Sequence, residues 1–174
     1  PMSFGAGALA INQFGYDLYK ETSVSCAVGA GIAEWISLGT TIHFNRITID
    51  GYGHASAVAF DAGGIAVITN EMSLGWCWKN VTQATIGVQS EPLPQILSMG
   101  VCYEITERSR FTVELEKDIH HPIIKKFGYE QEIFDLLFAR LGISDNPDKF
   151  SCGLGVRLGG FEFSYAGYSH PQLG

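Results

Sequence analysis

The stretch SCGLGVRLGGFEFSYAGYSH, Ser151 to His170, holds two alternating runs on either side of Gly159-Gly160. In the first, Cys152, Leu154, Val156 and Leu158 share one face, and Ser151, Gly153, Gly155 and Arg157 share the other. In the second, Phe161, Phe163 and Tyr165 oppose Glu162, Ser164 and Ala166. Alternation with a period of two marks β-strands, whose successive side chains point to opposite faces. A two-residue glycine loop suits a primed hairpin turn, which needs positive φ. Closing the hairpin there pairs Leu158 with Phe161, Arg157 with Glu162, Val156 with Phe163, Gly155 with Ser164 and Leu154 with Tyr165. Like meets like in each pair, so the register is specified.

The same alternation recurs along the chain. Val24, Cys26, Val28, Ala30 and Ile32 oppose Ser23, Ser25, Ala27, Gly29 and Gly31. Ile36, Leu38, Ile42 and Phe44 oppose Ser37, Gly39, Thr41, His43 and Asn45. Leu97, Met99, Val101 and Tyr103 oppose Ser98, Gly100, Cys102 and Glu104. The pattern predicts about eleven strands, near 3–14, 22–32, 36–45, 54–67, 73–79, 95–105, 110–118, 123–132, 135–143, 150–158 and 161–169. Gln131 to Gly142 also has helical spacing, but a strand, a turn near Ile133–Phe134 and a second strand keep the meander regular. Connections are expected to alternate. Short ones fall near Ala33–Trp35, Ile68–Met72, Thr106–Ser109, Ile133–Phe134 and Gly159–Gly160. Longer ones fall near Gly15–Glu21, Arg46–Gly53, Asn80–Pro94, Ile119–Pro122 and Ser144–Lys149. Tight turns at one end and longer loops at the other are the habit of outer-membrane barrels.

Composition points the same way. Of 174 residues, 17% are charged and 46% hydrophobic, with 21 glycines and a mean hydropathy of +0.12. An average soluble domain carries about 25% charge. No run of about 18 apolar residues encodes a spanning helix. The length allows one domain with a real core. A net charge of −7 argues against nucleic acid as a partner, since phosphate backbones need a basic patch. The four cysteines have no CxxC spacing and read as small hydrophobes. No leader pattern precedes the first strand: either a signal peptide has been removed or the chain is an internal piece of a longer protein, and the second is the expectation.

The face of glycine, serine and alanine carries too few solvating side chains for a water-exposed sheet. It suits the inside of a narrow barrel, with the oily face toward lipid. Backbone groups in lipid must be satisfied internally, so such a sheet closes on itself. Candidate lumen-lining residues are His43, Asp61, Lys79, Glu104, Glu114, Glu116, Lys126, Glu130, Arg140, Arg157 and Glu162. Several fall on neighbouring strands, which predicts a cross-strand ladder of charges. Tyr16, Tyr19, Trp35, Tyr52, Phe127, Tyr129, Phe150, Tyr165 and Tyr168 lie toward strand ends as candidates for interfacial girdles.

The segments GYGHASAVAFDAGG (51–64), EPLPQILSMGVCYEI (91–105), FTVELEKDIHHP (111–122) and FSCGLGVRLGGFEFSYAGYSHPQLG (150–174) form an ordered series. Together they resemble the C-terminal part of PorV-like outer-membrane proteins, relatives of the FadL fatty-acid channel. The resemblance implies a barrel of about fourteen strands of which the first strands and the last are missing here, along with the N-terminal hatch. It also implies a role either in passage of hydrophobic compounds or as a carrier subunit in type IX secretion.

Other motifs carry less. GAGAL (5–9), GAGIAE (29–34) and GLGVRLG (153–159) imitate a phosphate loop, but none opens a helix after a strand. His120-His121 beside Asp118 reads as a loop pair and not as a metal site. Serines and histidines are scattered without a readable triad. The expectation is therefore an all-β, antiparallel, up-and-down transmembrane β-barrel, partial at both ends, forming a single domain over 1–174. It would sit in a bacterial outer membrane with lipid, hydrophobic small molecules or secretion-system proteins as partners. It would have no cofactor, no metal and no enzymatic role. The rival is a soluble β-sandwich or β-barrel binding or structural protein, with the oily face inside.

Overall fold

In the computed structural model, residues 5–169 are described. Residues 3 and 4 of the first expected strand, and the closing His170 to Gly174, lie outside them. The strands are β1 (Ala6–Tyr16), β2 (Tyr19–Ala33), β3 (Ile36–Ile49), β4 (Gly53–Val67), β5 (Met72–Lys79), β6 (Thr85–Ile86), β7 (Glu91–Pro92), β8 (Ile96–Thr106), β9 (Ser109–Asp118), β10 (Ile124–Ile133), β11 (Leu137–Ser144), β12 (Lys149–Leu158) and β13 (Phe161–Tyr168). All but β6 and β7 follow one another in chain order in one eleven-stranded sheet, while β6 and β7 pair as a separate small hairpin. The described sheet pairs are antiparallel. The expected meander of eleven strands is present, and the stretch from 131 to 142 is strand, turn and strand. It turns on Phe134 and Asp135, both at φ 56°.

Two compact units make up the chain, Pro1–Ala66 with Trp76–Leu97, and Val67–Gly75 with Ser98–Gly174. In the first unit β2, β3 and β4 run to 15, 14 and 15 residues, longer than the 9–11 that span a bilayer. Their extra length absorbs two of the expected long loops. Only Asp17-Leu18 separates β1 from β2, and only residues 50–52 separate β3 from β4. At the ends near Tyr16–Glu21 and Arg46–Gly53 the ribbons turn polar and still remain hydrogen-bonded as strand. The long loop between β5 and β8 is present, and it contains the β6–β7 hairpin that periodicity does not reveal.

The second unit contains the hairpin quoted first. Its register is the expected one: Leu158 with Phe161, Arg157 with Glu162, Val156 with Phe163, Gly155 with Ser164 and Leu154 with Tyr165. Gly159 takes φ +59° and Gly160 does not share a positive φ, the pattern of a II′ turn.

The oily face is the exposed one. Leu9 is 80% and Phe163 64% exposed, and Val24, Ile42, Phe44, Leu97, Met99, Leu115, Leu141 and Leu154 are exposed with them. Among the described residues the buried hydrophobics are Ala57, Ala59, Ile86 and Phe138, all with the small-residue face or the loop that covers it. Gly155 is buried, whereas Ser164 on the terminal strand β13 is exposed. A soluble sandwich needs the reverse arrangement, with Val, Leu and Phe in a dry interior.

Candidate functional site

On the first unit the small-residue face runs through Ala8 and Ala10 of β1, Ser25, Ala27 and Gly29 of β2, Gly39, Thr41 and His43 of β3, and Ala57, Ala59 and Asp61 of β4, as the strand registers require. Across it lies a hydrogen-bond chain. Ser25 Oγ meets His43 Nδ1 at 2.7 Å, and His43 Nε2 meets Asp61 Oδ2 at 2.8 Å. With its proton on Nε2 the ring donates to the carboxylate and accepts from the hydroxyl. The second carboxylate oxygen, Oδ1, accepts the backbone N–H of Asn80 at 2.9 Å. Sequence spacing could not bring Ser25, His43 and Asp61 together, because each sits on a different strand. Nucleophilic triads use the same residue types. Here the chain ends on a loop backbone, and Ser25 is buried in the wall, so the geometry is that of an anchor.

What Asp61 anchors is the 80–95 loop. Val81 N–H donates to Phe60 O at 2.8 Å. Asn80 is 3% exposed and organises the loop from within: its Oδ1 accepts Ala84 N–H at 2.8 Å and its Nδ2 donates to Leu93 O at 2.9 Å. The loop covers Ala57 and Ala59 and buries Ile86. A Cβ on Gly87 would lie 3.9 Å from Ala55 Cβ, on the same face. A chamber of about 350 Å³ remains beside the loop. Ile47, Ala59, Ile86, Leu93 and Pro94 give it an apolar side, and His43, Asp61 and Lys79 a polar one.

The second unit fills the same face with ions. Glu130 takes Arg110 at 3.1 Å and also Arg140. Arg140 reaches Glu162 at 3.8 Å, Glu162 meets Arg157 at 3.3 Å, and Arg157 meets Glu132 at 3.4 Å. Lys126 bridges Glu114 at 2.9 Å and Glu116 at 2.7 Å. Nine of the eleven lumen candidates thus enter specific pairs: His43 with Asp61, Lys126 with Glu114 and Glu116, and Glu130, Arg140, Arg157 and Glu162 in the ladder; Lys79 lines the chamber beside the 80–95 loop. Glu104 stands exposed on β8, outside these pairs. Parity extended by one more position would have added Arg110 and Glu132.

Phe138 was missed. It shares the face of Arg140, is 3% exposed, and carries the Arg140 guanidinium 4.4 Å and the Arg157 guanidinium 5.8 Å from its ring centre. Its register partner on β12 is Gly155, where any Cβ would overlap the ring. The distal end of the aromatic ring lies over the glycine, and the two cations lie beside the ring.

Three of the aromatic girdle candidates need correction. Tyr168 is opposite Ser151 on the small-residue face, with Lys149 Nζ 5.6 Å from its ring. Tyr16 and Tyr19 pair with each other on that face too. Tyr129, Phe150 and Tyr165 lie on the oily face.

At the end of β9, Asp118 accepts the His120 N–H at 2.9 Å and lies 3.4 Å from His121 Nδ1. The carboxylate is engaged in shaping its own loop. Among the described residues no group of three or more His, Cys, Asp and Glu is placed to hold a metal, and there is no disulfide.

Two of the solved structures similar to this arrangement align over most of the chain. A Pseudomonas aeruginosa FadL homologue aligns with a TM-score of 0.65 at 11% identity, over 94% of this chain and 66% of its own. The Ralstonia pickettii toluene transporter TbuX aligns with a TM-score of 0.61 at 10% identity, over 85% of this chain and 62% of its own. The fold is FadL-like. At these identities the likeness is one of architecture, that of an antiparallel, up-and-down transmembrane barrel wall. The chain spans about two thirds of the length of either structure. No family model and no curated protein matches the sequence.

Proposed function

We propose that residues 1–174 belong to one outer-membrane β-barrel domain that passes small hydrophobic compounds and performs no catalysis. The observation that carries this reading is the orientation of the sheet. Large aliphatic and aromatic side chains are exposed, while glycine, alanine and paired ions occupy the opposite face. Exposed apolar surface on this scale is stable only against lipid. The opposite face then lines the lumen, with His43, Asp61, Glu104, Glu114, Glu116, Lys126, Glu130, Arg140, Arg157 and Glu162 along it. Charges paired across strands hold a narrow interior in shape and leave little unpaired charge to bind an ionic solute.

Of the two roles that the family resemblance implies, passage of hydrophobic compounds is the better supported, because one similar fold is that of a toluene transporter. In the chamber beside the 80–95 loop apolar side chains enter the polar face, and its volume is within the size of small-molecule sites. The secretion-carrier role would instead use the barrel's outer loops. The test is a two-part measurement on the chain expressed in a bacterial envelope. A folded barrel requires amphiphile and migrates differently on gels before and after boiling. Proteoliposomes containing it should admit toluene faster than protein-free vesicles while excluding a charged sugar phosphate. A chain that is monodisperse without amphiphile supports the soluble rival and defeats the proposal.

A further inference from the structure

The oily face of the first unit ends at a sharp row. Strand registers align Leu9, Cys26, Ile42 and Phe60 in one row across β1 to β4, and Ile11, Val24, Phe44 and Val58 in the next. Two residues further on, the row is Gln13, Thr22, Arg46 and Ser56, and after it Gly15, Lys20, Thr48 and His54. All four rows point to the same side of the sheet, because side chains alternate strictly along each strand. Within about 7 Å of strand the surface changes from purely apolar to hydroxyl, amide and cation.

Lys20 and Arg46 are exposed, and neither has a hydrogen bond or ion pair among the described residues. This sets them apart in a chain of net charge −7, whose other strand cations are mostly matched. Lys126 holds two carboxylates and Lys117 Nζ donates to His121 O at 2.6 Å. The carboxylate next to Lys20, Glu21, points to the opposite face and accepts the Tyr19 hydroxyl. Asp17 and Asp50 are in the turns beyond the rows. No acidic side chain occupies the outward positions of these four rows. Arg46 is opposite Thr22, and Lys20 is opposite Thr48, so the two cations are diagonal neighbours on adjacent strands, at a spacing of about 7–8 Å. One tetrahedral anion can accept from both, with the Thr22 and Thr48 hydroxyls beside it.

We propose that Lys20 and Arg46 form a site for the phosphate of a lipid headgroup, with its acyl chains against Val24, Phe44 and Val58. The inference rests on the membrane reading above and adds a specific ligand to it. Headgroup phosphates stand where hydrocarbon gives way to water, and basic side chains at that level take them as counter-ions. The adjoining apolar row is what selects a lipid over a free phosphate, since only the lipid fills both halves of the surface.

The experiment is native mass spectrometry of the chain folded in detergent, after incubation with three probes in turn: phosphatidic acid, a diacylglycerol of the same acyl chains, and inorganic phosphate. Phosphatidic acid should be retained well above diacylglycerol, and inorganic phosphate should not be retained. The K20Q/R46Q double variant should lose retention of phosphatidic acid by about tenfold, while keeping the heat-modifiable band of the folded barrel. Equal retention of the two lipids, unchanged retention by the variant, or retention of inorganic phosphate alone would each overturn the lipid site with the barrel intact. A chain that folds without amphiphile would overturn the membrane reading, and the lipid site with it.

Discussion

The two units of the chain face the same requirement and meet it differently. Each has a strand face too poor in bulk to pack against itself. In the first unit the side chains there are mostly glycine, alanine, serine and threonine, and a sixteen-residue connection, 80–95, folds back to cover them. In the second unit the connections at the corresponding strand ends are short, residues 119–123 and 145–148, and long charged side chains occupy the space instead. The difference teaches that interior volume in such a sheet can be supplied from the loops or from the strands. The sequence must commit to one of them in each region. Glycine tolerates a neighbour lying on it, and paired ions tolerate partial burial only because each finds its opposite.

The most damaging way to disturb this division should be Gly155→Leu. Its side chain would overlap Phe138, a buried aromatic group on the ionic unit's interior face. Overpacking there should cost about 2–3 kcal/mol, read as a lower urea midpoint for loss of the heat-modifiable band. Adding Phe138→Ala should recover part of the loss. Next comes Glu130→Gln, which removes the carboxylate shared by Arg110 and Arg140. About 1–2 kcal/mol is expected from charged hydrogen bonds that are partly exposed, in the same unfolding assay. High salt should narrow the gap between variant and parent. Asp61→Ala tests the other unit. It unties the Asn80 N–H, and hydrogen exchange at the amides of 80–95 should speed up by about fivefold, the equivalent of one hydrogen bond. The sheet itself should keep its urea midpoint. Lys126→Met should have the smallest effect, about 0.5 kcal/mol, because its ammonium is more than a third exposed. An Asp61→Ala variant that unfolds the sheet, or a Glu130→Gln variant without effect, would erase the contrast between the units.

Much of the fold was legible because alternation is local. The run from Ser151 to Ala166 contains its own turn, so its register could be worked out residue by residue and agrees with the structure. Strand ends were harder. The segments around Tyr16–Glu21 and Arg46–Gly53 carry polar residues on both faces, which reads as loop, yet these ribbons continue as strands past the apolar layer. The polar face was legible by parity, and its pairs partly so. Lys126 with Glu114, and Arg157 with Glu162, are direct register partners. The Ser25–His43–Asp61 chain was not, since Asp61 reaches His43 on the diagonal and its other oxygen reaches a residue 19 positions away. Phe138 lay on a readable face, but its cover by Gly155 depends on which strand comes next to it.

Asn80 ties Ala84 and Leu93 together through its own amide, while the wall contributes Asp61 and a carbonyl of Phe60. The insert therefore behaves as a cassette whose internal shape and docking point are encoded separately. Residues between 81 and 93 can drift in bulk and polarity without disturbing the staves behind them, provided Asn80 and Asp61 persist. Under the proposed transport role, the cassette could be exchanged to change what passes while the surrounding scaffold stays the same.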